Sequence, residues 1–448
     1  MGRKKFYTTA LEPKKGEEVT MKKATIFIVL ALLVTFAFAD ITFWTTEVES
    51  NRMARINALA QIFEAKTGIH VKVVPIQEDD LLKQIPIAKQ SDTLPDLLEG
   101  GIEAVMLLGS EGLMDKNLST EIINDFGDVY QGASRLLSDG HGKYFAVPFH
   151  AWVQGIWYRK DWFVKQDLGD PLSWHNILLA AKVLNDPKKG VYGLILPKKA
   201  DNYTQQVFEQ IALSNGARPI DENGNITFNT PQMIEAFRFY KTLGQYSKPG
   251  FTSVLDALKG YLSGQAAMIF YSTYIMDDIA IEDVQKSRIN SFDPQLVVHT
   301  GFANKMINIY PSSYGQVVAL ATVNTSKNKE QVEKFIKFLM TGKNYVYWLH
   351  MAPGGMNPTR SSISGTDEFL DNPVLKRYGK AKIEAIVAAL DKVQRFEFVN
   401  GKVMTDVSKL AANFVIGKAI NYMFANNWTP QQTAQWAQKE AEKVLGRK

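Results

Sequence analysis

ITFWTTEVESNRMARINALAQIFEAKTGIHVKVV, residues 41–74, carries the pattern that decides the fold. Ile41-Thr42-Phe43-Trp44 reads as a strand, being rich in β-branched and aromatic residues. A helix follows from about Arg52 to Lys66, with Ile56, Leu59, Ile62 and Phe63 assigned to one face and Gly68 as its stop. Ile69 to Val74 then alternates, with Ile69, Val71 and Val73 set against His70 and Lys72. Strand, helix and strand in that order predict a parallel pair joined by a right-handed crossover, and therefore an α/β fold.

The same alternation of elements continues outward. Strands are expected at Asp96 to Leu98, Tyr144 to Val147 and Val317 to Ala321. A helix from about Lys329 to Met340 places Val332, Phe335, Ile336 and Leu339 at i, i+3, i+4 and i+7 and ends at Gly342. Thr429-Pro430-Gln431-Gln432 has the cap, the first-turn proline and the Gln of a helix start; that helix runs to Leu445 and stops at Gly446. With 46% apolar, 11% aromatic and 22% charged residues, the 448-residue chain has a globular composition large enough for more than one lobe.

The amino end is read separately. From Met21, MKKATIFIVLALLVTFAFAD sets two lysines before an apolar run and Ala37-Phe38-Ala39 as a small-x-small cleavage signal. That is the layout of a secretory signal peptide within a leader over 1–39, with Asp40 the expected mature N-terminus. The run is too short for the ~20 residues of a membrane span. Glu17-Glu18-Val19 can be encoded by bases resembling a ribosome-binding site, so translation is expected to start at Met21. Removing the leader's seven bases and three acids from totals of 51 and 46 leaves 44 against 43, a net charge of +1. Nucleic-acid binding, which needs a clustered basic excess, loses its support. Zero cysteines exclude disulfides, thiolate metal sites, Cys nucleophiles and a lipid-anchoring cysteine. The expected locale is periplasmic or secreted, without a lipid anchor.

Seven stretches in this order resemble the extracellular solute-binding proteins of ABC importers, in the sugar-binding group that includes maltose-binding protein. They are ITFWTTEVES (41–50), GIHVKVV (68–74), DTLPDLLEGG (92–101), FAVPFHAWVQGIWYRKDWF (145–163), GYLSGQAAMIFYSTY (260–274), SYGQVVALATVNTSKNKEQVEKFIKFLMTG (313–342) and GGMNPTRSSI (354–363). The resemblance implies two α/β lobes with a ligand cleft between them and closure of the lobes on the ligand. Crossings between lobes would fall near Phe149 to Trp152, Tyr310 to Ser313 and His350 to Asn357. One lobe would comprise 40–149 plus 313–349, the other 150–312 plus 350–448.

A sugar needs bidentate polar partners for its hydroxyls and aromatic faces for its C–H surfaces. Trp44, Thr46 and Glu47 stand at the C-terminal end of the first strand, where open parallel sheets bind ligands; packing is the alternative for Trp44. Alternation points His150, Trp152 and Gln154 one way, with a core role open for Trp152 and a hinge hydrogen bond for His150. Glu99 and Glu103 would bring carboxylates to the cleft, or else are solvated acids at a helix start. By resemblance, Trp152 occupies a ligand-facing position often polar in relatives, and Tyr274 the position of an aromatic that stacks on the sugar. Tyr271, Tyr203 and Gln205 support it, as do Tyr314 and Asn357 at the crossings.

No metal site is expected, because none of the six histidines pairs at i, i+3 or i+4. G-x-S-x-G, Walker A, G-x-G-x-x-G and H-E-x-x-H are absent, and Asp221 to Asn225 reads as a turn rather than a calcium loop. The function that the resemblance implies is a receptor, without cofactor or chemistry. As a monomer it captures a carbohydrate ligand and delivers it to an ABC transporter membrane permease. A secreted glycoside hydrolase, whose carboxylate pair has no short motif, and a receptor for a non-sugar solute remain the alternatives.

Overall fold

The computed structural model describes residues 40–447. The leader over 1–39, its start at Met21 and its cleavage site lie outside the described residues. β1 (Ile41–Thr45) pairs in parallel with β2 (Val71–Pro75), in register from Ile41 opposite Val71 to Thr45 opposite Pro75, and with β3 (Leu97–Gly100) on its other side. The crossover helix Ser50–Thr67 buries Ile56, Leu59, Ala60 and Phe63 and ends at Gly68, whose φ of 74° suits glycine. Ile62 is 42% exposed. At 3.6 residues per turn it falls about 110° from the centre of the buried stripe, a place filled instead by Ala60.

β4 (Val147–Arg159) is the longest strand and the pivot of the sheet. The expected strand at Tyr144 to Val147 was placed too early, because Pro148 reads as a breaker. The ladder accommodates this proline with a register shift between Val318 and Ala319, directly opposite it. β5 (Tyr192–Ile195), β6 (Ala266–Ser272) and β7 (Thr300–Ala303) follow, then a short ladder of β8 (Met306–Ile307) with β9 (Pro311–Ser312). Finally β10 (Tyr314–Thr322) and β11 (Asn357–Pro358) come back onto β4. The main sheet runs β2-β1-β3-β10-β4-β6-β5, with β7 and β11 pairing β4 off that path.

This sheet is mixed rather than purely parallel: β10 is antiparallel to both β3 and β4. Residues 147–154 of β4 pair with β10, while residues 154–158 pair with β6 and 156–159 with β7, so the strand changes partners near Gln154. The result is a two-lobed α/β architecture, each part with its own aromatic core. Phe335 packs 5.7 Å from Phe43 and 5.0 Å from Phe63 in one; Trp174 stacks 4.0 Å from Phe239 in the other. Helix Lys329–Leu339 buries Val332, Phe335, Ile336 and Leu339, the four residues its spacing indicates. Helix Pro430–Leu445 begins with a complete capping box on Thr429 and Gln432 and ends at Gly446. No helix among the described residues is long and apolar enough to cross a membrane.

Candidate functional site

A cleft of about 750 Å³ opens where these elements converge. Thr46 and Glu47 leave the end of β1, and Asn51 and Arg52 begin the following helix. Glu78 starts the helix Glu78–Ser91. Trp152 and Gln154 come from β4, with Gln316 opposite Trp152 on β10. Tyr203 and Gln206 lie on the helix Asn202–Ser214, Tyr271 and Ser272 at the end of β6, and Tyr274, Asp277 and Asp278 just beyond it. Helices Val254–Leu262 and Glu282–Ile289 supply an apolar wall at Leu258 and the guanidinium of Arg288.

Four aromatic rings thus meet carboxylates and amides. Several polar groups facing the space have no hydrogen-bond partner among the described residues, among them the Trp152 indole N–H and the Gln206 side-chain amide. Open to the cleft, such groups are free to bond a ligand that enters it. Gly355 sits directly beneath Tyr274; a Cβ there would lie 2.6 Å from the ring, so only glycine admits this close approach.

The electrostatics are set by Arg52 and Arg288. Arg52 Nη1 donates to Glu47 Oε2 at 2.7 Å, and its guanidinium lies 5.4 Å from the Tyr274 ring centre. Arg288 Nε donates to Asp278 Oδ1 at 2.8 Å and reaches Glu49 at 3.5 Å. Removal from water nonetheless raises the Glu47 and Asp278 carboxyls, and Asp277 is pushed up to about 7 by the same cause with the Asp278 charge beside it. Glu78 remains reachable by solvent inside the cleft. Even so, the surrounding protein and then the charges of Glu103, Asp79 and Glu47 push it to about 8.

Of the fourteen residues singled out from the sequence, seven line the cleft: Thr46, Glu47, Trp152, Gln154, Tyr203, Tyr271 and Tyr274. The other seven stand behind it. Trp44 packs into the core at 9% exposure. Glu99 is wholly buried and anchors the loop after β1, accepting from the Thr45 hydroxyl and sharing a hydrogen bond with His150 Nε2 at 3.1 Å. Burial raises Glu99 to about 7 and lowers His150 to about 4. Glu103 accepts from Gln316 Nε2 at 2.6 Å and pairs with Arg395. Tyr314 lies under that guanidinium, 4.8 Å from its ring centre. Gln205 donates to the Ala411 carbonyl at 3.2 Å, and Asn357 to the Ala151 and Gly354 carbonyls at 3.1 and 2.7 Å. Five of them lie on strands and two, Glu103 and Gln205, on helices, and all seven are buried in the protein behind the cleft.

Arg52, Glu78, Gln206, Gln316, Arg288 and Arg395 were missed. Two of them carried a usable signal: Arg52 follows Glu47 at the same helix start, and Gln316 is a polar residue on the same strand face as Tyr314. Glu47, Glu99 and His150 each offer a donor atom within 4.8 Å of the others, the one such grouping among the described residues. Glu47 bonds Arg52, and Glu99 bonds Thr45 and His150.

The profile of the bacterial extracellular solute-binding proteins matches residues 47–345, from the cleft loop of β1 into the helix Gly342–Leu349. The chain belongs to the bacterial extracellular solute-binding protein family. It is 29% identical over 412 residues to YcjN of Escherichia coli strain K12, provisionally named an ABC transporter periplasmic-binding protein, covering 91% of this chain and 93% of that one. It is 30% identical over 213 residues to the mannitol-binding protein of Pseudomonas aeruginosa, covering 46% and 48% of the two chains. Its fold is similar to a solved solute-binding protein of an ABC transporter from Agrobacterium radiobacter K84 in complex with ribitol. The TM-score there is 0.73 at 21% identity, over 90% of this chain and 98% of that one. In this solute-binding protein, Trp152 and Gln154 from the middle of β4 face the cleft.

Proposed function

We propose that this solute-binding protein is the receptor of an ABC importer and that its ligand is a sugar or polyol. The observation that carries the reading is the meeting of Trp152, Tyr203, Tyr271 and Tyr274 with carboxylates and unpartnered amides in one cleft of about 750 Å³. Aromatic faces take the C–H surface of the ligand, and the paired polar groups take its hydroxyls. Mannitol in the name of one relative and ribitol in the solved complex belong to the same chemical class.

The lobes are 40–149 plus 313–349 and 150–312 plus 350–448, and they close on the ligand about the crossings. Contacts that bridge these lobes across the cleft support closure: Arg52 over Tyr274, Glu49 with Arg288, and Asn202 Nδ2 donating to Glu78 at 3.0 Å. The closed form is presented to a membrane permease, and the protein works as a monomer in the periplasm or after release, performing no chemistry. Thr46, Glu47, Arg52, Trp152, Gln154, Tyr271 and Tyr274 are its ligand contacts. Native mass spectrometry of freshly purified protein, followed by calorimetric titration with mannitol, ribitol and maltose, tests the reading. Incubation with labelled oligosaccharides should return them intact. Turnover would make the protein a glycoside hydrolase, and failure to bind any polyol or sugar would refute the ligand class.

A further inference from the structure

Five carboxylates face the cleft, Glu47, Glu49, Glu78, Asp277 and Asp278, against two guanidiniums. Both guanidiniums are committed: Arg52 to Glu47 at 2.7 Å and Glu49 at 3.5 Å, Arg288 to Asp278 at 2.8 Å and Glu49 at 3.5 Å. Asp277 has no ion pair within 4 Å but lies in the favourable field of both arginines. Glu78 differs. Its one hydrogen-bond partner among the described residues is the neutral Asn202 amide at 3.0 Å, and the charges that act on it most, Glu103, Asp79 and Glu47, are all negative. Independently of these acids, the Gln206 side chain is 9% exposed, faces the same space and makes no hydrogen bond to the described residues.

Capture of a ligand removes water from such a cleft. A neutral polyol offers Glu78 hydroxyl donors but no counter-charge, and so leaves it in the protonated form that its surroundings favour, whereas a cation beside it draws out the ionised carboxylate. An ammonium group supplies the charge, and the Trp152 face favours a cation further. Resting on the sugar or polyol reading above, we infer that the ligand carries a protonated amine, an amino sugar or amino polyol, and that Glu78 receives its ammonium while Gln206 meets a neighbouring hydroxyl. Glu78 is then the residue that separates amino from neutral ligands.

The test is calorimetric titration at neutral pH with matched pairs: D-glucosamine and D-glucose, D-galactosamine and D-galactose, 1-amino-1-deoxy-D-sorbitol and D-sorbitol. In at least one pair the amino member should bind about tenfold tighter or more, the scale of a charge-assisted hydrogen bond, and Glu78→Gln should erase that preference. Neutral members that bind as well as or better than their amino partners throughout would overturn the inference and leave the sugar or polyol reading standing. A preference that survives in Glu78→Gln would overturn the assignment to Glu78. Binding of neither member of any pair would count against both readings together.

Discussion

Trp152→Ala is the substitution that best separates a ligand contact from a packing residue. The indole is 7% exposed, yet it stands outside the contiguous apolar core, with Tyr314 at 6.1 Å between ring centres and its N–H unpartnered among the described residues. Its remaining surface is the wall of the cleft. Truncation therefore removes contacts on the sheet side only, and the unfolding free energy should fall by about 1 to 2 kcal/mol. A wholly enclosed tryptophan would cost about 3 to 5 kcal/mol instead. In the complex, an aromatic anchor in a desolvated pocket is worth ~2 to 4 kcal/mol, so affinity should drop by about thirtyfold to several hundredfold. Tyr274→Ala, which strips the ring facing Arg52, should behave alike. Calorimetric titration against the co-purified ligand and urea melts on each variant give the two numbers. A variant that binds normally and unfolds early would refute the assignment of that residue to the ligand.

Gly355→Ala should weaken binding with a folded protein retained, because its Cβ at 2.6 Å displaces the Tyr274 ring; titration and circular dichroism check both halves. Relative to wild type, Glu99→Gln leaves only the lowered His150, so stability should be lost as pH falls from 6.5 towards 4, by at most about 1.4 kcal/mol per pH unit. His150→Gln leaves only the raised Glu99, so stability should be fullest below 4.5 and lost as pH rises towards 7; urea midpoints across pH would contradict the pair if both variants sloped the same way. Arg395→Met leaves Glu103, Glu209 and Glu397 buried without their cation and should cost about 3 to 5 kcal/mol near neutral pH, partly recovered on acidification as the carboxyls take protons, which denaturant melts would show. Saturating ligand should reduce the radius of gyration in solution scattering; an unchanged radius would speak against closure.

How much of this could be read in the sequence follows from which contacts are local. The opening strand, helix and strand, the Lys329–Leu339 stripe and the Thr429 capping box are set by neighbours a turn or two away, and they stand where the spacing puts them. β4 was cut short because Pro148 breaks the local pattern, and its partner β10 arrives more than 150 residues later with a bulge that no local rule indicates. Arg395 shows the same limit more sharply. Only Glu397 among its partners is close in the chain; Glu103, Glu209 and Gln316 lie 292, 186 and 79 residues away, so the sequence around Arg395 does not mark it as the buried centre of a network.

The site residues divide along a similar line. Alternation assigns a face of a strand but not a depth within it. His150, Trp152 and Gln154 do share a face of β4, yet His150 meets Glu99 behind the cleft while Trp152 and Gln154 reach the open space. That depth has a consequence. Glu99 holds Thr45 through its hydroxyl, the Thr45 Oγ1 in turn accepts from the Glu47 backbone N–H at 3.2 Å, and Glu47 carries Arg52. A buried carboxyl behind the cleft thereby fixes the loop that lines it. Its residue type, chosen from the sequence for sugar contact, serves the same cleft from one layer further back.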